Sequence, residues 1–377
     1  MIKRTSFMLV LLLLAAMPLT AVQGQDEPLR VAVVMPSTAD DLAWSQALVD
    51  SLAAVQEALG GEDALVVDIS ENLWQVPDAI EAIGDYAAQG YDIVFAHGTQ
   101  YGGPLFDLAP DYPDVSFAWG TASDTGEDQG LTNIFPYEAR AEQGGYINGV
   151  IAALLTQTGV VGIVGPVPAG DALLYIDGFR VGVMEANSDM GLEVEVPVIY
   201  TGSFGDTAGA AEAARTLIAA GADILTGSAQ QVPGVIEAIE EAGGLYMATQ
   251  VDQAEGWPDT VLIAQVFDWN DVILDMIAQR QAGVTGGIAY ELSLENGGMK
   301  MVLNEELAAT LPVPEMLAAL AGGLDIDPEA EGAMVEILQA LLEAGTAEVV
   351  EGRIDVLERV EELQAEEAEE ATPTPAS

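Results

Sequence analysis

The sequence predicts an α/β protein built of two doubly wound parallel sheets, and three observations lead to this prediction. Short apolar runs rich in Val and Ile alternate with segments of helical periodicity over residues 29–120. A long helical segment that begins at Glu138 interrupts this pattern. The alternation then resumes over 160–267. Such alternation is typical of strand–helix–strand units, and its two blocks indicate two Rossmann-like lobes.

The first block contains four continuous apolar runs, the pattern of strands that are covered on both faces. They lie at 29–36, 64–70, 91–99 and 115–120. Apolar residues recur at helical spacing over 40–59 and 76–90, and a short helix is predicted between 101 and 113. The predicted order is therefore βαβαβαβ.

The second block follows a strand at 131–135 and the long helix from Glu138, whose residues Gly144, Gly145 and Gly149 allow close packing of a neighbour. Strands and helices then alternate up to residue 283. A small hairpin is predicted within 288–304, and helices at 305–322 and 328–345. We expect the first lobe to span 25–136 and the second 137–267, with 268–363 returning to complete the first.

The two ends of the chain differ from the rest. Residues 1–24 carry a basic start, an apolar core and a small-residue cleavage site, the pattern of a secretory signal peptide. The chain has no cysteine and so no lipid-bearing cysteine at that site. We expect an exported protein, periplasmic or held at the cell surface. The acidic, Pro- and Thr-rich end at 364–377 is expected to be disordered.

The charge of the chain excludes one class of partner. The whole sequence has a net charge of −51, and the eight basic residues after residue 24, set against 61 acidic ones, leave about −53. Such a chain repels phosphates, so nucleic acid is not an expected partner. One histidine and no cysteine exclude a zinc site in practice. No phosphate-binding glycine motif is present, and no cofactor is expected.

Two aromatic residues follow predicted strands at the edge where open α/β sheets bind ligands. Phe204 stands in the turn TGSFGD, where Asp206 is suited to cap the next helix. Trp44 follows the first strand in DDLAWSQAL. The two rings are expected to face each other across a cleft. The alternative, that Phe204 only plugs the end of a sheet, is open from the stretch alone.

These residues and several longer stretches carry a family resemblance. The chain resembles the basic membrane protein (BMP) family of ABC-transporter substrate-binding proteins over 29–351, in GYDIVFAHGTQYGGPLFDLAPDYPDVSF, YEARAEQGGYINGVIAALLT and TGSFGD-AGAAEAARTLIAAGADIL. The resemblance implies a type I-like periplasmic-binding-protein fold with a central ligand cleft. It also implies a membrane permease as partner.

The resemblance further implies where a nucleoside or nucleobase would bind. Trp44 and Phe204 match two aromatic residues that sandwich the base, Asp41 belongs to the motif that carries Trp44, and Asp252 matches an aspartate that holds the ribose. Two positions depart from the family pattern. Ser45 stands where many members have asparagine, and Phe267 stands where nucleoside receptors have lysine.

Three further residues are candidates from their positions alone. His97 ends a strand in a His-Gly turn, with ligand contact and structural filler both open, and Glu138 and Gln230 stand at predicted helix openings that face the cleft, as contacts or as caps. An enzyme is not predicted, because the chain lacks a nucleophile beside a base. The expected function is capture of a small solute for an ABC importer. Ligand sensing without transport is the alternative, and an exported nucleoside hydrolase is disfavoured.

Overall fold

The computed structural model describes residues 27–371, which form two six-stranded sheets flanked by helices. The predicted signal peptide at 1–24 and the last residues, 372–377, lie outside the described part of the chain. Within 27–371, no helix is both long and apolar enough to cross a membrane.

The first sheet is parallel throughout and has the order β11-β5-β4-β3-β1-β2. Helices α1 to α3 connect its first four strands. Up to the last strand of the first block, the elements are β1 (Leu29–Val34), α1 (Trp44–Leu59), β2 (Leu65–Ser70), α2 (Val76–Ala88), β3 (Ile93–His97), α3 (Gly102–Leu108), β4 (Ser116–Gly120) and β5 (Ile134–Ala139). The predicted order of this block is confirmed.

The second sheet has the order β12-β10-β9-β8-β6-β7 and is parallel except for β12, which runs antiparallel to β10. Its elements up to the last parallel strand are α4 (Ala141–Leu155), β6 (Val161–Gly165), α5 (Gly170–Met190), β7 (Val198–Tyr200), α6 (Thr207–Ala219), β8 (Ile224–Gly227), α7 (Val232–Ala242), β9 (Leu245–Gln250) and β10 (Val261–Phe267). Two sheets of this kind confirm the predicted fold class.

Strand β5 is longer than predicted and displaces the start of helix α4. Pairing with β4 continues to Tyr137, and pairing with β11 extends the strand to Ala139. Glu138 is therefore a strand residue, and the prediction that it opens the long helix is wrong. The strand forms because its residues are buried between two neighbours, a tertiary contact that outweighs the turn suggested by Pro136.

The tight packing expected for the small residues of α4 is confirmed. A methyl group at Gly145 would come within 2.3 Å of the Tyr175 carbonyl oxygen, and one at Gly149 within 2.1 Å of the Phe179 carbonyl oxygen. Helices α4 and α5 therefore cross with their backbones nearly in contact. Because α5 begins at the cleft described below, this packing gives the cleft a rigid support.

The remaining elements are α8 (Asn270–Gln281), β11 (Tyr290–Leu292), β12 (Met299–Leu303), α9 (Glu305–Ala308), α10 (Glu315–Ala321), α11 (Ala333–Val350) and α12 (Val356–Ala371). The predicted hairpin is wrong, because β11 joins the first sheet and β12 the second. The predicted helix at 305–322 is divided into two, and Pro312 and Pro314 lie between the parts.

The return of 268–363 to the first lobe also differs from expectation. Helix α8 packs against α1 and β11 extends the first sheet, but α11 and α12 pack against α4 and α5 of the second block. Residues 364–371 are helical rather than disordered. The Gln364 amide donates to Asp177 at 2.8 Å, and Val360 and Leu363 are buried, so the acidic helix has an apolar face to bury.

Candidate functional site

A cleft lies between the two lobes, and it is lined by the segments that follow the carboxyl ends of strands in both sheets. The first lobe contributes Pro36, Trp44, Trp74, Gly98, Thr99, Gln100 and Thr121; the second contributes Asp171, Ala172, Phe204, Ala229, Gln230 and Gln250. The remaining cavity has a volume of about 30 Å³. The cavity lies at the edge at which ligands bind in open α/β sheets. Its small volume shows that the two lobes are close together.

Trp44 is placed at the start of α1 by a carboxylate that precedes it. Asp41 accepts hydrogen bonds from the N–H groups of Ala43, Ser45 and Gln46, at 3.0, 3.1 and 3.0 Å. The side chain thus satisfies the unpaired donors of the first helical turn. Asp41 lies outside the cavity lining. It acts as a helix cap that orients Trp44.

One face of the Trp44 ring is covered by His97, with ring centroids 4.3 Å apart and planes 4° from parallel. Phe267 and Trp269 lie nearly perpendicular to the same indole, with ring centroids 6.5 and 5.7 Å from it. Phe267 is buried and does not line the cavity. The indole is held from behind and from its edges, in the manner of a rigid binding wall.

His97 is a neutral support for Trp44. Its Nε2 lies 3.0 Å from the Trp44 carbonyl oxygen, and because a carbonyl only accepts, Nε2 carries the proton. Nδ1 then accepts from the Tyr137 hydroxyl at 2.6 Å. Burial lowers the pKa of His97 to about 3 and raises that of Tyr137 above its usual value. His97 lies behind the indole and is not part of the cavity lining.

Replacing His97 by Gln is expected to reduce the acid sensitivity of folding. In the unfolded chain this histidine binds a proton near pH 6.5, whereas in the folded chain it does so only near pH 3. The free energy of unfolding therefore falls as the pH decreases from 6.5 to 3. From pH 7 to pH 4 the loss amounts to about 3 kcal/mol. Denaturant unfolding at both pH values measures it. Tyr137→Phe, the control, should retain the loss; equal losses in wild type and His97→Gln contradict the prediction.

The opposite wall is formed by the loop after β7. Thr201 donates a hydrogen bond to the Gln231 side chain at 2.7 Å, and Asp206 accepts from the N–H of Gly209 at 2.9 Å, which confirms it as the predicted helix cap. Phe204 is half-buried between these anchors and lines the cavity. The two aromatic residues singled out in the sequence therefore line the same cavity, one from each lobe.

Trp74 is a third aromatic residue of the cleft. It follows β2, and a methyl group at Gly205 would come within 3.1 Å of its ring, so the indole of the first lobe packs directly on the loop of the second. Trp74 is not among the site residues predicted from the sequence. It could have been found by the criterion that selected Trp44, an aromatic residue that follows a strand and precedes a helix.

Polar groups occupy another part of the cavity. Asp171, in the first turn of α5, receives a hydrogen bond from the Gln250 amide at 3.4 Å, and the hydroxyls of Thr99 and Thr121 lie 3.1 Å apart. Burial is the main cause that raises the pKa of Asp171 to about 6. None of the lining residues is basic. The cleft therefore suits a ligand with a planar part and hydrogen-bond donors, and no phosphate.

Three other predicted site residues lie outside the cavity lining. Asp252 is exposed and its carboxylate accepts from the N–H of Ala254 at 2.9 Å. The preceding Gln250 has a φ of 76°, and it is Gln250, not Asp252, that lines the cleft. Ser45 is fully buried, and Glu138 is half-buried near Glu291, with a pKa raised by burial and by that neighbour. Of the nine candidates, Trp44, Phe204 and Gln230 line the cavity.

Direct contacts hold the lobes together beside the cavity. The Gln253 amide of the second lobe donates to the Leu42 carbonyl of the first at 2.9 Å. Leu42, Ala229 and Gln250 all have positive φ, at 57°, 68° and 76°. Non-glycine residues adopt this conformation at a cost of about 1–3 kcal/mol, and such strain is concentrated at functional sites.

Comparisons with known proteins agree with this architecture. A purine-binding protein of Brucella abortus is 29% identical over 250 residues, which cover 66% of this chain and 68% of that protein. A putative ABC transporter glucose-binding protein of Haloferax volcanii is 26% identical, covering 73% of this chain and 66% of the relative. The crystal structure of an ABC transporter system solute-binding protein from Aeropyrum pernix K1 has a TM-score of 0.68 at 21% identity, over 90% of this chain and 98% of that one.

The structural likeness confirms the type I-like periplasmic-binding-protein fold. The family model for PnrA-like ABC transporter substrate-binding proteins, named Bmp, matches residues 29–317. The family model describes substrate-binding proteins, and the relatives and structure named above are solute-binding proteins, so this chain is a binding protein and not an enzyme. The resemblance noted in the sequence is thus confirmed over most of its length: the chain belongs to the Bmp family of PnrA-like ABC transporter substrate-binding proteins.

Proposed function

We propose that the protein captures a nucleoside or nucleobase outside the cytoplasm and delivers it to an ABC permease. The observation that carries the proposal is the set of aromatic rings in the cleft, Trp44 and Trp74 from one lobe and Phe204 from the other. Stacking of a base on aromatic side chains contributes roughly 1–3 kcal/mol of binding free energy, whichever base it is. The relative named as purine-binding supports this choice of ligand.

The charge of the cleft further restricts which ligands it can bind. Asp171 is its one charged lining residue, and none of the eight basic residues after residue 24 lines it. A phosphorylated ligand would meet a like charge without a compensating cation, so the uncharged nucleoside or base is favoured over the nucleotide. A sugar also satisfies this condition, and one relative is named as glucose-binding. The experiment below therefore includes sugars.

A thermal-shift screen of the chain without residues 1–24 tests the proposal. Nucleosides and bases are compared with sugars, amino acids and nucleoside monophosphates, each in excess. A ligand at a hundred times its dissociation constant stabilises the folded state by about 2.7 kcal/mol, which is easily detected. We expect a shift with purine nucleosides or bases and none with the monophosphates. Stabilisation by sugars alone contradicts the proposed ligand.

Transport and sensing are separated by a different observation. Genes for a permease and an ATPase next to the gene for this protein, and stimulation of that ATPase by the loaded protein, are expected for an importer. A loaded protein that leaves the ATPase unstimulated would favour sensing without transport. Appearance of free base during incubation with a nucleoside would support the hydrolase that the missing catalytic groups disfavour.

A further inference from the structure

Asp171 is a buried carboxylate without a cation to compensate it. The residue is 7% exposed, and among residues 27–371 it takes part in no ion pair. Its contacts are the Gln250 amide at 3.4 Å and the N–H groups of its own helical turn. The other charged group acting on it is Glu138, which has the same sign. Burying such a charge is costly unless donors satisfy it.

Two further acceptors that line the same cavity as Asp171 have no donors. The Oε1 atoms of Gln230 and Gln250 are buried and have no hydrogen-bond partner, although both residues line the cleft. The orientation of the Gln250 amide follows from its neighbour, because a carboxylate only accepts and the NH₂ group must face Asp171. Its oxygen is therefore left unpaired. This part of the cleft offers several acceptors at once.

An acceptor-rich pocket is completed by a ligand that brings donors. A carboxylate binds two adjacent donors best, since each of its oxygens can accept one. A nucleoside offers such a pair in two places. The ribose has neighbouring hydroxyls, and a guanine-type base has adjacent ring N–H and amino groups, whereas adenine offers an acceptor next to its amino group.

We propose that Asp171 is the specificity-determining residue of the cleft, and that its carboxylate accepts two adjacent hydrogen-bond donors of the ligand. This assignment rests on the proposed function, which places a nucleoside or base in the cleft. The assignment requires that the ligand carry two adjacent hydrogen-bond donors that point at the start of α5. Gln250 takes part as well. Its NH₂ group donates to the Asp171 carboxylate, and its side-chain oxygen accepts a third donor from the ligand.

The test is Asp171→Asn, which keeps the shape of the side chain but replaces one acceptor by a donor. Asp259→Asn is the matched control, because Asp259 is exposed, lies outside the lining and is not a predicted site residue. Affinities for guanosine, 2′-deoxyguanosine, guanine and adenosine are measured by calorimetry at pH 7.5. Loss of a hydrogen bond to a charged group corresponds to a drop of about ten- to hundredfold. We expect that drop in Asp171→Asn and a change of less than about twofold in Asp259→Asn.

The ligand series identifies the source of the donors. If the ribose supplies them, Asp171→Asn weakens guanosine and adenosine equally and leaves guanine unchanged. If the base supplies them, guanosine, 2′-deoxyguanosine and guanine are all weakened, and adenosine is not. Either pattern supports the proposal. Unchanged affinity for every ligand that the wild type binds overturns it and leaves the proposed function intact. A wild type that binds none of them overturns both.

Thermal unfolding without ligand shows that the variant is folded. Removing an uncompensated buried charge should leave the melting temperature of Asp171→Asn at or above that of the wild type at pH 7.5. A lower melting temperature would show that Asp171 supports the fold through its contacts. Lost affinity accompanied by such a decrease would overturn the assignment to ligand recognition.

Discussion

Replacing Gly170 by Ala is expected to prevent the lobes from closing and to weaken ligand binding by about five- to hundredfold. A methyl group at Gly170 would lie 2.4 Å from the Thr121 hydroxyl, which belongs to the opposite lobe. Because Gly170 and Thr121 belong to different lobes, separation of the lobes would relieve this clash. A ligand held by both lobes then loses the contacts of one, and its apparent affinity falls with the population that can close.

The control for this variant is Gly191→Ala. Gly191 ends the same helix with a φ of 66°, close to the 59° of Gly170, but nothing lies within 4 Å of an added methyl group. Both variants therefore carry a similar backbone strain, and only Gly170→Ala obstructs closure. Adding Thr121→Ala to Gly170→Ala should restore compaction. Small-angle scattering with saturating ligand measures closure directly, and a Gly170→Ala protein that closes and binds like Gly191→Ala contradicts the prediction.

Replacing Trp44 by Ala is expected to have the largest effect on the fold and the ligand together. The side chain is 6% exposed and contacts His97, Phe267 and Trp269. Removal of a buried aromatic side chain costs about 3–5 kcal/mol of stability. Ligand binding should be lost as well, because the indole lines the cavity and, in the proposed site, the planar part of the ligand stacks on it. Denaturant unfolding and calorimetry measure the two effects separately.

Phe204→Ala separates stacking from stability. Phe204 is half-buried in a loop whose backbone is held by the hydrogen bonds of Thr201 and Asp206, so the fold should tolerate its loss. We expect affinity to fall by about 1–3 kcal/mol, or five- to hundredfold, with little change in the melting temperature without ligand. Tyr112→Ala, a half-buried aromatic residue outside the cleft, serves as the control. Unchanged affinity in Phe204→Ala would exclude the aromatic sandwich.

The position of the hinge follows from the connections between the sheets. The lobe boundaries expected from the sequence lie at 136/137, inside β5, and at 267/268, where β10 ends, since β5 runs to Ala139 and β10 to Phe267. The chain leaves one sheet for the other at Arg140, after Phe267, and between β11 and β12. The Arg140 N–H donates to the Leu292 carbonyl at 2.9 Å, and the Asp268 N–H donates to the Gly298 carbonyl at 2.8 Å, so the three connections are bonded to one another. We propose that the lobes move about this bonded group.

Local sequence patterns were sufficient for the fold class and for the aromatic walls. Apolar runs and helical periodicity repeat along the chain, and each element can be identified from its own residues. Parallel sheets bring the residues after their strands to one edge, so the sequence alone predicts that Trp44 and Phe204 line a cleft. The same rule, applied fully, would have added Trp74 and Gln250.

Tertiary structure decided what local patterns leave undetermined. The stretch over 288–304 has the appearance of a hairpin, but its two strands join different sheets because each finds a longer partner there. Helix α12 exists because Val360 and Leu363 have a surface to cover. The carboxylate of the cleft is Asp171 rather than Asp252, since the left-handed backbone at Gln250 brings Gln250 into the lining while Asp252 remains exposed outside it. Loop dihedrals and long-range strand partners depend on contacts between residues far apart in the chain, and the residues of one segment do not specify them.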